Sequence, residues 1–113
     1  MLLEKNPVTN DVVTIRLTSG EEIIGRFIES DTTMVKIKQP LVIGYQMMPN
    51  NQATIGFNPY LISSDEDVSI KFNNSAIASK PVHTRTEIAQ RYMKLTSSIE
   101  IPDTKTSILL SGG

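Results

Sequence analysis

Apolar and polar side chains alternate with period two in several segments of this chain, and a period near four occurs in one later segment. Val13, Ile15 and Leu17 alternate with Thr14, Arg16 and Thr18, which predicts a first strand over residues 11–17 with one buried face. Ser19-Gly20-Glu21 supplies a turn, and Ile23 to Ser30 predicts a second strand that closes a hairpin. Gly25 stands inside that strand, where a residue without a Cβ marks a bend or a close backbone approach. After the turn signal Ser30-Asp31-Thr32, Met34 to Ile43 predicts a third strand, interrupted by Gln39-Pro40 at an edge or bulge. Pro49-Asn50-Asn51 closes a further hairpin, and Ala53 to Ile62 returns as the fourth strand. The polar turn Asp65-Glu66-Asp67 precedes Val68, Ile70 and Phe72, the alternating positions of a fifth.

The helical period begins after Thr84-Arg85-Thr86-Glu87, which has the spacing of a capping box. Ile88, Tyr92, Leu95 and Ile99 then fall on one stripe, predicting a C-terminal α-helix at about 84–99 that Pro102 ends at the latest. Residues 1–102 thus read as one mostly β domain, a small, strongly bent antiparallel sheet or barrel followed by the helix, with 103–113 as a tail carrying Ile108-Leu109-Leu110.

At 113 residues, a monomer builds a modest core that oligomerisation would enlarge. The absence of cysteine excludes disulfides, thiolate metal sites and cysteine nucleophiles. Eleven basic and twelve acidic residues give a net charge of −1, unlike the basic face that grips duplex DNA. A compact site for single-stranded nucleic acid, built on stacking and a few polar groups, remains compatible with that balance. No apolar run approaches the ~20 residues of a membrane span, and the first residues lack the apolar centre of a secretory signal, so the expectation is a cytoplasmic protein without membrane partners. His83 stands alone before the helix, and the acidic triplet at 65–67 has too few spaced oxygens for calcium, so neither predicts a metal site. With no nucleophile elbow and no glycine-rich phosphate loop, the expectation is a non-enzymatic protein without a cofactor.

One constellation carries more than its composition. Val13-x-Ile15-x-Leu17-x-x-Gly20, then Gly25-x-Phe27-x-x-x-Asp31-x-x-Met34, resembles the first sequence motif of the Sm-like (LSm) family and covers about a fifth of the chain. The resemblance implies a five-stranded, strongly bent antiparallel Sm-like barrel whose second strand curves at Gly25. It also implies a cyclic homo-oligomer of about five to eight subunits, in which neighbours cover each other's sheet edges. The C-terminal helix, in place of the helix that family members commonly carry before the first strand, is similar to that of divergent Sm-like proteins coded by bacteriophages.

The family's RNA site implies roles for Asp31, Thr33, Lys71 and Asn73, with the loop 31–35 and the segment 71–74 approaching the pore. Asp31 and Met34 keep the family's positions. Thr33 stands where an aromatic or histidine commonly stacks on a base, and Val35 where an asparagine reads the base edge. Ile70-Lys71-Phe72-Asn73-Asn74 is the nearest segment to the second motif, with lysine for arginine and Phe72 for glycine. Phe72 has two readings, a stacking face in place of the one Thr33 lacks or a core residue, and its alternation with Val68 and Ile70 favours the core. Two functions follow from the resemblance and its departures. One is a ring protein that binds single-stranded RNA, with Lys71 repeated around the axis as a positive ring; the other is a structural or assembly protein that keeps the ring and has lost RNA binding.

Overall fold

The computed structural model describes residues 6–61, 65 and 67–98. Strand β1 (Val12–Leu17) turns into β2 (Glu22–Ser30) through Gly20, whose φ of 107° only glycine adopts without strain. β3 (Met34–Met47) and β4 (Ala53–Pro59) form a long hairpin whose turn places Asn51 at φ 65°. β5 (Ser69–Asn73) leads through a single 3-10 turn (Asn74–Ala76) into β6 (Ile77–His83), and α1 (Thr86–Ser98) follows. Every ladder is antiparallel, and the sheet runs β4-β3-β2-β1-β6, with β5 also pairing β3. The protein is therefore mostly β, a bent antiparallel sheet carrying a C-terminal helix, as the period-two pattern predicts and consistent with an Sm-like fold.

β3 changes partner midway. Met34–Lys38 pairs β5, Leu41–Met47 pairs β4, and Gln39 and Pro40 belong to neither ladder. The proline thus sits where its missing N–H removes no ladder bond, at a bulge in an internal strand. Gln39 takes φ 52° there, and opposite it the β2 register shifts between Ile24 and Arg26. Gly25 lies at that shift. A Cβ on it would stand 2.2 Å from Ile37 Cγ2 and 3.0 Å from the Lys38 carbonyl oxygen, so the expected bend at Gly25 is a close approach of β3 that no other residue permits.

The inner face of the bent sheet collects Val13, Ile15, Leu17, Ile23, Phe27, Val35, Ile37 and Phe72 into one core. Ile24 is as buried as its neighbour Ile23, so β2 is covered on both faces. The second cover comes from α1, which lies against its own sheet: Tyr92, 0% exposed, donates its hydroxyl to the Gln39 carbonyl at 2.8 Å and reaches that of Lys38 at 3.2 Å. Arg91 donates to the Ile55 carbonyl at 3.1 Å and lies over the Phe57 ring. Tyr92 thereby supplies a donor to the Gln39 carbonyl at the bulge, where β3 belongs to neither the β4 nor the β5 ladder.

Four details differ from the sequence expectation, the first being that the third strand runs on to Met47 and does not end at Ile43. A sixth strand, β6, joins the five; its Lys80 and Pro81 break the alternation, and both belong at a sheet edge, where β6 lies. The fourth strand stops at Pro59, and Ile62 lies outside the described residues. The capping box does not form as read: the helix begins at Thr86, and the Thr84 hydroxyl pairs with that of Thr14 at 2.8 Å, fastening the helix approach to β1. Ile99 and the tail 103–113 lie outside the described residues.

Candidate nucleic-acid interface

The loop between β2 and β3 is organised by one carboxylate. Asp31 Oδ1 accepts from the Thr33 N–H at 2.7 Å, the Thr33 hydroxyl at 2.7 Å and the Met34 N–H at 3.0 Å, while the Asp31 N–H donates to the Met34 carbonyl. A short acceptor two residues before a free N–H builds such a turn from sequence alone. The Thr33 hydroxyl and N–H hold the Asp31 carboxyl below the usual carboxylate range, with the Met34 N–H and the Lys71 charge adding to the effect. Asp31 therefore stays ionised at neutral pH while remaining at the surface.

The turn after β5 docks on this loop. The Asn74 N–H donates to the Thr33 carbonyl at 2.9 Å, and its side-chain amide donates to the Asp31 carbonyl at 3.2 Å. The β3–β5 register places Asn73 opposite Met34 and Lys71 opposite Lys36. Two segments some forty residues apart thus become one exposed polar surface containing Asp31, Thr33, Lys71, Asn73 and Asn74. The four residues expected from the sequence are brought together. Asn74 belongs to the 71–74 segment expected there without a role of its own, and the structure gives it one as the tie to Asp31 and Thr33.

Phe72 is 5% exposed in the core and meets Tyr60 with ring centroids 5.1 Å apart, so it offers no face to a base. Val35 is buried at 4% and points into the same core. The Thr33 hydroxyl is engaged by Asp31. As it stands, the surface presents hydrogen-bonding groups and positive charge without an aromatic platform.

Beside Lys71, the outer face of the sheet continues with cations. Lys36 faces Lys71 on one side and Glu29 on the other, and Lys38 faces Arg26 and Ser69. Core residues Val35, Ile37 and Phe72 alternate with Lys36, Lys38 and Lys71, so these lysines share the opposite face. Arg26 was missed as their neighbour because only the pairing of β2 with β3 places it there.

His83 Nε2 lies 3.0 Å from Asp11 Oδ2 in an open depression with Asn6 and Val8, away from this surface. Among the described residues no group of three or more histidine or carboxylate side chains could hold a metal ion, and no helix is long and apolar enough to cross a membrane. No protein-family model matches the chain, and no curated protein matches it.

Proposed function

We propose that this chain is a non-enzymatic, Sm-like ring protein that binds single-stranded RNA through the joined surface of the β2–β3 loop and the β5–β6 turn. The observation that carries the reading is the docking of Asn74 on Asp31 and Thr33, which joins the places of the two family motifs at one site with Lys71 alongside. An ionised Asp31 fixes the loop, Asn73 offers both a donor and an acceptor, and Lys71 offers a charge for phosphate. In the proposed ring one lysine per subunit becomes a circle of charge, and the uncharged β4 ends the sheet with an edge that a neighbour's strand can pair. Native mass spectrometry with and without a short mixed-sequence RNA tests it. A mass of about five to eight subunits that gains one RNA is expected; a monomer that binds none overturns the proposal.

A second reading, an assembly protein that keeps the ring without RNA, is favoured by a separate observation. No charged residue occurs from Gln39 to Ser64, so the β3–β4 hairpin lacks the charges that normally guard a sheet edge. Its exposed Tyr45 and Met47, at 83% and 68%, extend that uncharged surface with apolar side chains. A ring of unchanged mass in the presence of RNA, which dissociates when Tyr45 and Met47 are both replaced by serine, would select this reading.

A further inference from the structure

We infer that the outer face of β2, β3 and β5 is a phosphate track that carries a bound single strand away from the Asp31–Asn74 surface, with Lys71, Lys36, Lys38 and Arg26 as its successive contacts. The inference rests on the RNA-binding reading above and specifies how much of the strand the protein holds.

The register sets the geometry. One row across the sheet contains Glu29, Lys36 and Lys71, and a second row two residues along contains Arg26, Lys38 and Ser69. Neighbouring strands lie ~4.8 Å apart and alternate residues ~6.8 Å apart, so Lys71 and Arg26 stand at opposite corners of a patch about 12 Å on the diagonal. That spans a few nucleotides. Four cations and one carboxylate share it. Neither the Arg16–Glu22 ion pair nor the Asp11–His83 contact involves any of the four.

Lys36 and Lys71 are directly cross-strand, an arrangement that destabilises a sheet through like-charge repulsion unless an anion lies between them. Glu29 faces Lys36, and the Asp31 carboxylate interacts with Lys71, so two carboxylates answer the four cations and the patch keeps a positive excess. The track has a defined end: Arg26 donates to the Asn10 carbonyl at 3.2 Å and lies beside Tyr92, where the helix closes the face. Its other end opens on Lys71 and the Asp31 loop. The anion that fits is extended, because the positive positions step across the patch from Lys71 to Arg26, and single-stranded, because four cations within about 12 Å match a few phosphates of one strand.

The experiment measures binding of a fluorescent oligouridylate to the full-length protein across a salt series, for wild type, K36Q/K38Q, and K80Q on the far edge as a control. Each phosphate contact to a single strand contributes about 0.7 to the slope of log affinity against log salt. The double variant is expected to lose about 1.4 of slope and roughly ten-fold in affinity at low salt. K80Q is expected to match wild type. A strand of about four nucleotides, too short to fill both loop and track, should show less of the loss than a longer one. Thermal melting of K36Q/K38Q, expected to equal or exceed wild type, separates lost contacts from lost folding. Wild-type binding with an unchanged slope in the double variant would overturn the track and leave the loop site standing; absence of binding by wild type would overturn both.

Discussion

Asn74 and Asp31 are joined by a hydrogen bond from the side-chain amide to the backbone carbonyl at 3.2 Å, although the residues lie 43 positions apart. The bond locks the β5–β6 turn onto the β2–β3 loop at a place where neither is held by the hydrophobic core. A small exposed contact of this kind contributes little to global stability and much to the mutual position of two loops.

Replacing Asn74 with alanine should therefore separate stability from binding. The expected stability loss is below about 1 kcal/mol, because the bond is exposed and water replaces it. Under the RNA-binding reading, affinity should fall several-fold as Lys71 and Asn73 lose their fixed position relative to Asp31. Urea unfolding and fluorescence anisotropy on the same preparation provide the check, and a variant with wild-type affinity would remove the tie from the site.

Gly25→Ala carries the opposite expectation. The new methyl would lie 2.2 Å from Ile37 Cγ2, inside the core, and 3.0 Å from the Lys38 carbonyl, which is backbone and cannot rotate away. Overpacking of this kind costs about 1–3 kcal/mol, and the rigid neighbour places Gly25 toward the upper end. A melting temperature within a degree or two of wild type would mean that the β2–β3 approach relaxes freely.

The period-two alternation makes β1, β3 and β5 legible, because Val13, Ile15, Leu17, Val35, Ile37 and Phe72 each obey it and all enter the core, while β2 and β4 are legible only from the turn signals that bound them. The sixth was hidden: in Ile77–His83 the edge-protecting Lys80 and Pro81 replace the apolar positions that signal a strand. Legible too were Gly20, Gly25 and Asn51, each at a place where backbone conformation or close approach restricts the choice of residue. The site was legible in its members and not in its wiring. Asp31 announces a turn through its own short side chain, but the Asn74 tie and the neighbourhood of Arg26 and Lys38 arise only from strand pairing. Thr84 shows the limit of a local motif, since its hydroxyl bonds Thr14 on another strand in place of closing a capping box.

Tyr92 gives the fold a dependence on alkaline pH. Burial pushes its hydroxyl above the ordinary tyrosine value, an effect that the nearby Arg26 only partly offsets. The unfolded chain therefore ionises this group first as pH rises. Its contribution is complete below about pH 10 and declines above, by at most about 1.4 kcal/mol per pH unit, until the folded group also titrates. Tyr92→Phe should lose about 1–2 kcal/mol at neutral pH, because the Gln39 and Lys38 carbonyls lose their donor, and should show a shallower decline above pH 10 than wild type. Parallel curves for the two proteins would place the alkaline sensitivity elsewhere.

Thr33 offers a gain of function. Its backbone N–H already holds Asp31 Oδ1, so the loop keeps two of its three bonds to that oxygen when the hydroxyl is replaced. The residue is exposed on the loop that Asn74 clamps, where a planar ring would stand free of the core. A tyrosine at this position supplies the stacking face that the wild-type surface lacks, worth about 1–3 kcal/mol per base. Under the RNA-binding reading, Thr33→Tyr is therefore expected to tighten single-stranded RNA binding by at least about five-fold while leaving the salt slope unchanged, since stacking releases no counterions. The pairing of a higher affinity with a constant slope distinguishes a new base contact from a new phosphate contact. A Thr33→Tyr protein that binds no better than wild type would show that bases do not pass over this loop, and the surface built by Asp31 and Asn74 would then be a structural clasp of the barrel.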